Sequence, residues 1–200
     1  MHLEEIDQHP EAASTRVVIK SGAGALLRPL RKDDAPQLGA YFLGLSPETI
    51  RVYGPHPFDQ ATADRLCADL DSAHTLRMLG IVERAGHEQI IAYFIVHFGV
   101  YESDAKRYQQ RSMPLDGALD CELAPSVADA DQSTGVGSLV MGHLLPLLRR
   151  VGRQRLVLVG GVRAENVRAI HFYEKFGFCK VGEFKTRGDV DNFDMIADLQ

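Results

Sequence analysis

From residue 89 to residue 101 the chain runs QIIAYFIVHFGVY, almost wholly apolar or aromatic. A strand with no polar face must be covered on both sides, so this segment is expected near the middle of a sheet with layers above and below it. Residues 75–83 form a second expected strand, and Ala85-Gly86-His87 between the two is a hairpin signal. Further strands are expected at 16–20 and 25–30, split by Ser21-Gly22-Ala23-Gly24, and at 118–127, 155–162, 178–184 and 194–199. Asp33 and Asp34 offer N-caps to a helix reaching about residue 45. Ser46-Pro47-Glu48 starts a second helix, with Ser as cap, Pro in the first turn and Glu at the positive end. That helix must stop before Gly54-Pro55-His56-Pro57, and a third occupies 61–70. Helices are also expected at 135–151, where Leu139, Leu144, Leu147 and Leu148 face the core and Pro146 is an irregularity, and at 165–176. Residues 102–117 are polar and too long for a hairpin loop, and are taken as a loop-like insertion. One mixed sheet with helices on both faces accommodates this order.

Two hundred residues predict one domain, taken as 14–200, behind a flexible arm at 1–13 that holds four acidic side chains and no apolar run. A net charge of −5 argues against a protein built to grip nucleic acid or an anionic membrane. Cys67, Cys121 and Cys179 are odd in number and widely spaced, which fits free thiols in a reducing compartment and no cysteine-based metal site. Neither a signal-like start nor a run of roughly 20 apolar residues is present, so a soluble cytoplasmic protein is expected.

The segment with most chemical content is Gln132-Ser133-Thr134-Gly135-Val136-Gly137, between an expected strand and an expected helix. Small residues there let the backbone turn closely around an anion. The free amides of the helix's first turn, at its positive end, point at the guest, and a diphosphate suits them. A dinucleotide fingerprint would need Gly at position 140, where Val140 stands, and a Walker loop would need Lys where Ser138 stands. A plain strand–helix turn is the alternative on spacing alone.

Gln132, Gly135 and Gly137 satisfy the pattern Q/R-x-x-G-x-G/A. Asn166, Ala169, Phe172, Tyr173, Lys175, Gly177 and Phe178 fall in step with N-x-x-A-x-x-F/Y-Y-x-K-x-G-F. Together these resemble the GNAT acetyltransferase superfamily, over roughly residues 24–200 and most strongly over 121–184. Ser46-Pro47-Glu48-Thr49 also looks like a branch that includes protein lysine acetyltransferases.

The resemblance implies an α/β fold with a central, mixed, largely antiparallel sheet, helices on both faces and a splayed strand pair at the acyl-CoA site. It implies acetyl-CoA as cosubstrate, gripped by amides from Ser133 through Thr134, Gly135, Val136 and Gly137 to Ser138, with Gln132 reaching the same phosphates. Pantetheine would pair with the exposed backbone of the strand ending at Val127 and meet Asn166. Pro125 fits an edge or bulge but removes a donor. Asn166 could equally be a helix cap. Tyr173, two turns beyond it on the same face, would protonate the departing thiolate, or would be a half-buried aromatic beside Phe172 and Phe176. Glu122 is the candidate base, against a solvent-facing strand Glu.

The expected reaction is direct attack of a primary amine, on a small molecule or a protein, upon the thioester. Cys121 alternates in facing with Glu122, which disfavours a covalent route. His97 could face the acceptor or be a core histidine, His171 is expected at the surface, His143 is a further candidate, and the arginines at 149, 150, 153 and 155 are expected as solvated charge. An acyl-CoA sensor without turnover and a transferase of longer acyl groups are the alternatives. A homodimer stays open.

Overall fold

The computed structural model describes residues 3–200. In chain order the elements are β1 (Thr15–Val18), β2 (Gly24–Pro29), α1 (Ala35–Leu43), α2 (Pro47–Val52), α3 (Gln60–Ala68), β3 (Thr75–Arg84) and β4 (His87–His97). There follow α4 (Glu102–Gln110), β5 (Asp120–Val127), α5 (Val136–Arg150), β6 (Arg155–Leu158), β7 (Val162–Arg163), α6 (Val167–Lys175), β8 (Cys179–Thr186) and β9 (Val190–Asp198). The strands lie side by side in the order β1-β2-β3-β4-β5-β6-β9-β7, with β8 also paired to β9. Among the described strands only β5 and β6 pair parallel. This is the expected mixed, largely antiparallel sheet.

The apolar run takes the middle of it. Every β4 side chain from Ile90 to Val96 is buried. Ile91, Ala92, Phe94 and Val96 enter the core beneath α5, and Ile90, Tyr93 and Ile95 enter a second core under α1 and α3. Two successive residues, Ile91 and Ala92, share a face because the β3–β4 register slips between Gly80 and Ile81, a bulge that reverses the alternation. Ala85 at φ +53° and Gly86 at φ +78° supply the two left-handed positions that a tight hairpin between twisted strands needs.

Three expectations change. Residues 102–117 are not all loop, because α4 covers Glu102–Gln110. Its inner side is ionic rather than apolar: Asp104 and Tyr108 are its buried residues, and Tyr108 Oη donates to Met195 O at 2.9 Å. Apolar periodicity therefore does not report it. The described part of the arm, residues 3–13, packs on the domain. Ile6 and Ala13 are fully buried, and Asp7 accepts from Ser72 N at 2.9 Å and Ser72 Oγ at 2.6 Å. Residues 1 and 2 lie outside the described residues. The 155–162 strand is two pieces, β6 and β7, broken by Gly160 at φ +63° and Gly161 at φ +70°. A Cβ on Gly161 would stand 2.6 Å from Phe193 O, so this turn has room for no side chain. Among the described residues no helix is long and apolar enough to cross a membrane.

The break in β6 opens the sheet. β5 pairs with β6 from Asp120↔Arg155 to Leu123↔Leu158, and Val159 N still donates to Leu123 O at 3.1 Å. Beyond that point β6 turns away while β5 continues through Ala124 to Val127, held only by β4. With the two-residue period of a strand, the backbone groups of Pro125 and Val127 face the gap as those of Leu123 face β6. Pro125 thus sits where its missing N–H breaks no ladder bond.

Candidate active site

After β5 the chain makes a short 3-10 turn and enters α5 through Gln132-Ser133-Thr134-Gly135. Ser133 at φ +62° and Gly135 at φ +93° are both left-handed. Such alternation turns successive amides toward one side and forms an anion-binding concavity. Thr134 Oγ1 folds back to donate to Asp131 O at 2.5 Å, and buried Asp131 is ion-paired with Arg84. No side chain caps α5. Its first-turn amides at Val136, Gly137 and Ser138 therefore stay available. A Cβ on Gly137 would lie 3.3 Å from Phe172 and 3.5 Å from Val127, so this glycine lets α5 approach α6 and the end of β5 closely.

A cleft of about 760 Å³ runs from this loop along the open edge of β5. Val127, Gln132, Ser133, Gly135, Gly137, Ser138, Asn166 and Tyr173 all line it. Thr134 and Val136 turn their side chains elsewhere, Val136 into the core. Lys175 Nζ donates to Ser138 Oγ at 3.2 Å, joining the first turn of α5 to the end of α6.

Gln132 points inward. Its Nε2 donates to Thr49 Oγ1 and to Val127 O, both at 3.1 Å. Asp129 accepts from Ser46 N at 2.9 Å and from Ser46 Oγ and Thr49 Oγ1 at 2.7 Å each. The start of α2 is thereby tethered to the loop, and Arg51 on α2 pairs with Glu165 across the cleft mouth. Asn166 acts as the N-cap of α6, its Oδ1 accepting from Ala169 N at 3.2 Å. Tyr173 is 8% exposed, with its ring against Phe172 and Phe178. Burial pushes its phenol well above the ordinary value, so the hydroxyl keeps its proton.

Glu122 is not brought to the cleft. It is fully buried on the opposite face of β5 from Cys121, and Oε2 accepts from Tyr101 N at 3.1 Å. Burial first, and the neighbouring Asp104 carboxyl next, push its pKa up to about 8. A walled-in acid of this kind cannot exchange a proton by direct contact with a molecule in the cleft. Cys121 faces the core beneath α5, and burial raises its thiol to about 12, so no reactive thiolate is present there.

His97 lies outside the cleft, stacked on Tyr101 with centroids 4.4 Å apart, and burial lowers its pKa. His143 Nε2 contacts Ala13 O at 2.8 Å and fastens the N-terminal segment, whereas His171 lines the cleft. In the arginine cluster Arg149 and Arg150 are exposed as expected, whereas Arg153 and Arg155 are half-buried. Arg149 donates to Leu199 O at 2.6 Å, Arg153 to Ala118 O at 2.5 Å, and Arg155 pairs with Asp120 at 2.5 Å. Among the cleft residues that the sequence does not single out are Tyr53 and Ser126. Tyr53 Oη donates to Ala124 O at 3.2 Å, and Ser126 contacts Tyr41 Oη. Neither lies in a recognisable motif.

Residues 126–178 match the model of the Acetyltransferase (GNAT) family. That span holds the end of β5, the loop, α5, β6, β7 and α6. Over the whole chain the structure is similar to the GNAT domain of S. lividans PAT, with TM-score 0.71 and 21% identity, covering 95% of this chain and 99% of that one. It is also similar to yncA, a putative acetyltransferase from Salmonella typhimurium solved with acetyl-CoA (TM-score 0.62, 15% identity, 87% and 93% covered). AAC(6')-Ib, solved with paromomycin and acetyl-CoA, gives TM-score 0.63 at 18% identity, with 87% and 93% covered. No curated protein matches the chain. The fold is that of GNAT acetyltransferases, and the segment that builds the cleft carries their sequence signature.

Proposed function

We propose that this protein is an N-acetyltransferase that moves the acetyl group of acetyl-CoA to a primary amine by direct attack. One observation carries the reading: the free amides at the start of α5, the open edge of β5 and the Tyr173 phenol converge on a single cleft. Similar proteins of the same fold hold acetyl-CoA. In this reading the amides from Ser133 to Ser138 bind the diphosphate, helped by the positive end of α5. The pantetheine arm lies along β5 and meets Val127, its amides adding to the sheet edge.

The acetyl carbonyl oxygen sits near the Val127 amide, which faces the negative charge that builds as the amine adds. A neutral amine nitrogen forms the new bond to the acetyl carbon, the carbon–sulfur bond breaks, and Tyr173 gives its proton to the departing thiolate. The proton lost by the nitrogen goes to solvent water, which later reprotonates Tyr173. Holding both reactants in one cleft supplies much of the acceleration.

Calorimetry with acetyl-CoA, followed by a thiol-release assay over a panel of amines, tests this. Binding together with thiol release from at least one amine is expected. Binding with no release from any amine would favour a sensor, and no binding at all removes the reading. The Gly137→Val variant, which places methyl groups against Phe172 and Val127, is expected to weaken acetyl-CoA binding by about tenfold or more through strain of order 1–3 kcal/mol. Calorimetry beside an unchanged far-UV spectrum checks it.

A further inference from the structure

Behind the cleft wall lies a group of buried charges that the reaction above leaves unused. Three carboxylates, Asp104 on α4, Glu122 on β5 and Asp194 on β9, are all essentially without exposure. Two guanidiniums from α4 reach them. Arg107 Nη2 is 2.6 Å from Asp104 Oδ1 and 3.1 Å from Asp194 Oδ1, and Arg111 Nη1 is 2.9 Å from Asp194 Oδ2. If every group is ionised, one negative charge is left over in the interior, and an unbalanced buried charge is the arrangement proteins avoid most strongly.

The hydrogen bonds locate the excess. Asp104 accepts from Arg107, from Ser103 Oγ at 3.3 Å and from the Gly160 amide at 2.8 Å, all of which favour its anion. Glu122 has one donor, the Tyr101 amide, and its Oε1 is buried with no partner. The Tyr101 amide that holds Glu122 belongs to the N-cap of α4, and Tyr101 O accepts from Asp104 N at 3.0 Å, so Asp104 stands in the helical turn that covers Glu122. Two carboxylates in contact repel, whereas one proton between them satisfies both. Gly160 belongs to the turn that ends β6 and lines the cleft.

We propose that Glu122 is a positioning residue: as an uncharged acid it donates a hydrogen bond to Asp104 and so holds that carboxylate on the Gly160 amide, fixing the turn that opens the cleft. The pKa of about 8, raised by burial and by Asp104, agrees with this geometry. The other groups facing Glu122 are Arg107 from α4, the Tyr101 phenol, and His97, its partner in the β4–β5 register, while Arg111, just past α4, and Asp194 from β9 complete the ionic cluster. The Asp120–Arg155 pair lies one step along the strand face and is internally balanced. Between the ordinary carboxylic range and about 8 the folded state holds a proton that the unfolded chain has lost. Stability therefore falls as pH rises through that window and levels off above it.

The inference uses the acetyl-CoA reading only for the occupant of the cleft, and its test has an arm that does not. In infrared difference spectra the wild type is expected to show the C=O band of a buried carboxylic acid at pH 6, lost with a midpoint near 8, and Glu122→Gln is expected to lack it. Acetyl-CoA affinity in the wild type is expected to weaken across the same midpoint, a range in which acetyl-CoA itself does not titrate. Glu122→Gln keeps a donor toward Asp104, so it is expected to bind like the wild type at pH 7 with a flat profile above it. Glu122→Leu, which leaves Asp104 short of a donor, is expected to bind about tenfold more weakly. The proposal is overturned if the wild type shows no such band, if its affinity is indifferent to pH across that midpoint, or if Glu122→Gln binds as poorly as Glu122→Leu. Should the wild type not bind acetyl-CoA at any pH, the functional reading fails and the band alone decides where the proton is.

Discussion

The Tyr173→Phe variant is expected to release thiol from acetyl-CoA roughly 10²- to 10⁴-fold more slowly at saturation, the usual span for loss of a positioned acid. Its acetyl-CoA affinity should stay near that of the wild type. The separation follows from the setting of the side chain. The ring is buried against Phe172 and Phe178, and phenylalanine keeps both contacts. Only the hydroxyl is lost, and burial keeps that hydroxyl protonated well past neutrality. For the same reason the wild-type rate should show no alkaline fall at the pH where an unperturbed tyrosine ionises. Single-turnover thiol release beside calorimetric affinity checks both statements. A variant with full kcat would mean that the thiolate leaves without help, and Tyr173 would revert to a packing residue.

The second large effect concerns folding. Asp194→Ala is expected to destabilise the protein by about 3–5 kcal/mol, because it removes the fully buried carboxylate that two half-buried guanidiniums share and leaves Arg111 without its ionic partner. Arg107 donates to Asp194 through both Nε and Nη2 at 3.1 Å, and Arg111 Nη1 lies 2.9 Å away. At this chain length such a loss corresponds to a melting-temperature drop of roughly 10 °C. Urea unfolding measures it directly, and a change below about 1 kcal/mol would mean that α4 reorganises and takes its arginines out to water.

α4 also marks the limit of what the sequence discloses. Residues 132–138 and 166–178 are legible because their geometry restricts which residues can stand there. Gly135 holds φ +93°, Gly137 has space for little more than hydrogen, and Asn166 caps a helix whose next turns carry Phe172 and Tyr173. β4 is legible because seven consecutive buried side chains leave no polar signal to confuse it. α4 has no comparable signature, since it docks through Asp104, Arg107, Arg111 and Tyr108 rather than an apolar stripe. With the helix in place Glu122 is sealed. The source of the missed helix is a long-range ionic contact that local periodicity cannot encode. Tyr53 and Ser126 escaped for a related reason: their place in the cleft is set by how α2 and β5 meet, not by neighbours in the chain.

The tether between α2 and the loop before α5 ties the two halves of the cleft to a common fate. Ser46, Thr49, Asp129 and Gln132 form one hydrogen-bonded knot, and the wall containing Ile50, Arg51 and Tyr53 hangs from it. Anyone grafting a foreign α2 to redirect this scaffold toward a new acceptor would have to transplant all four knot residues as a set. Swapping the helix alone would loosen the loop before α5 along with the wall it supports.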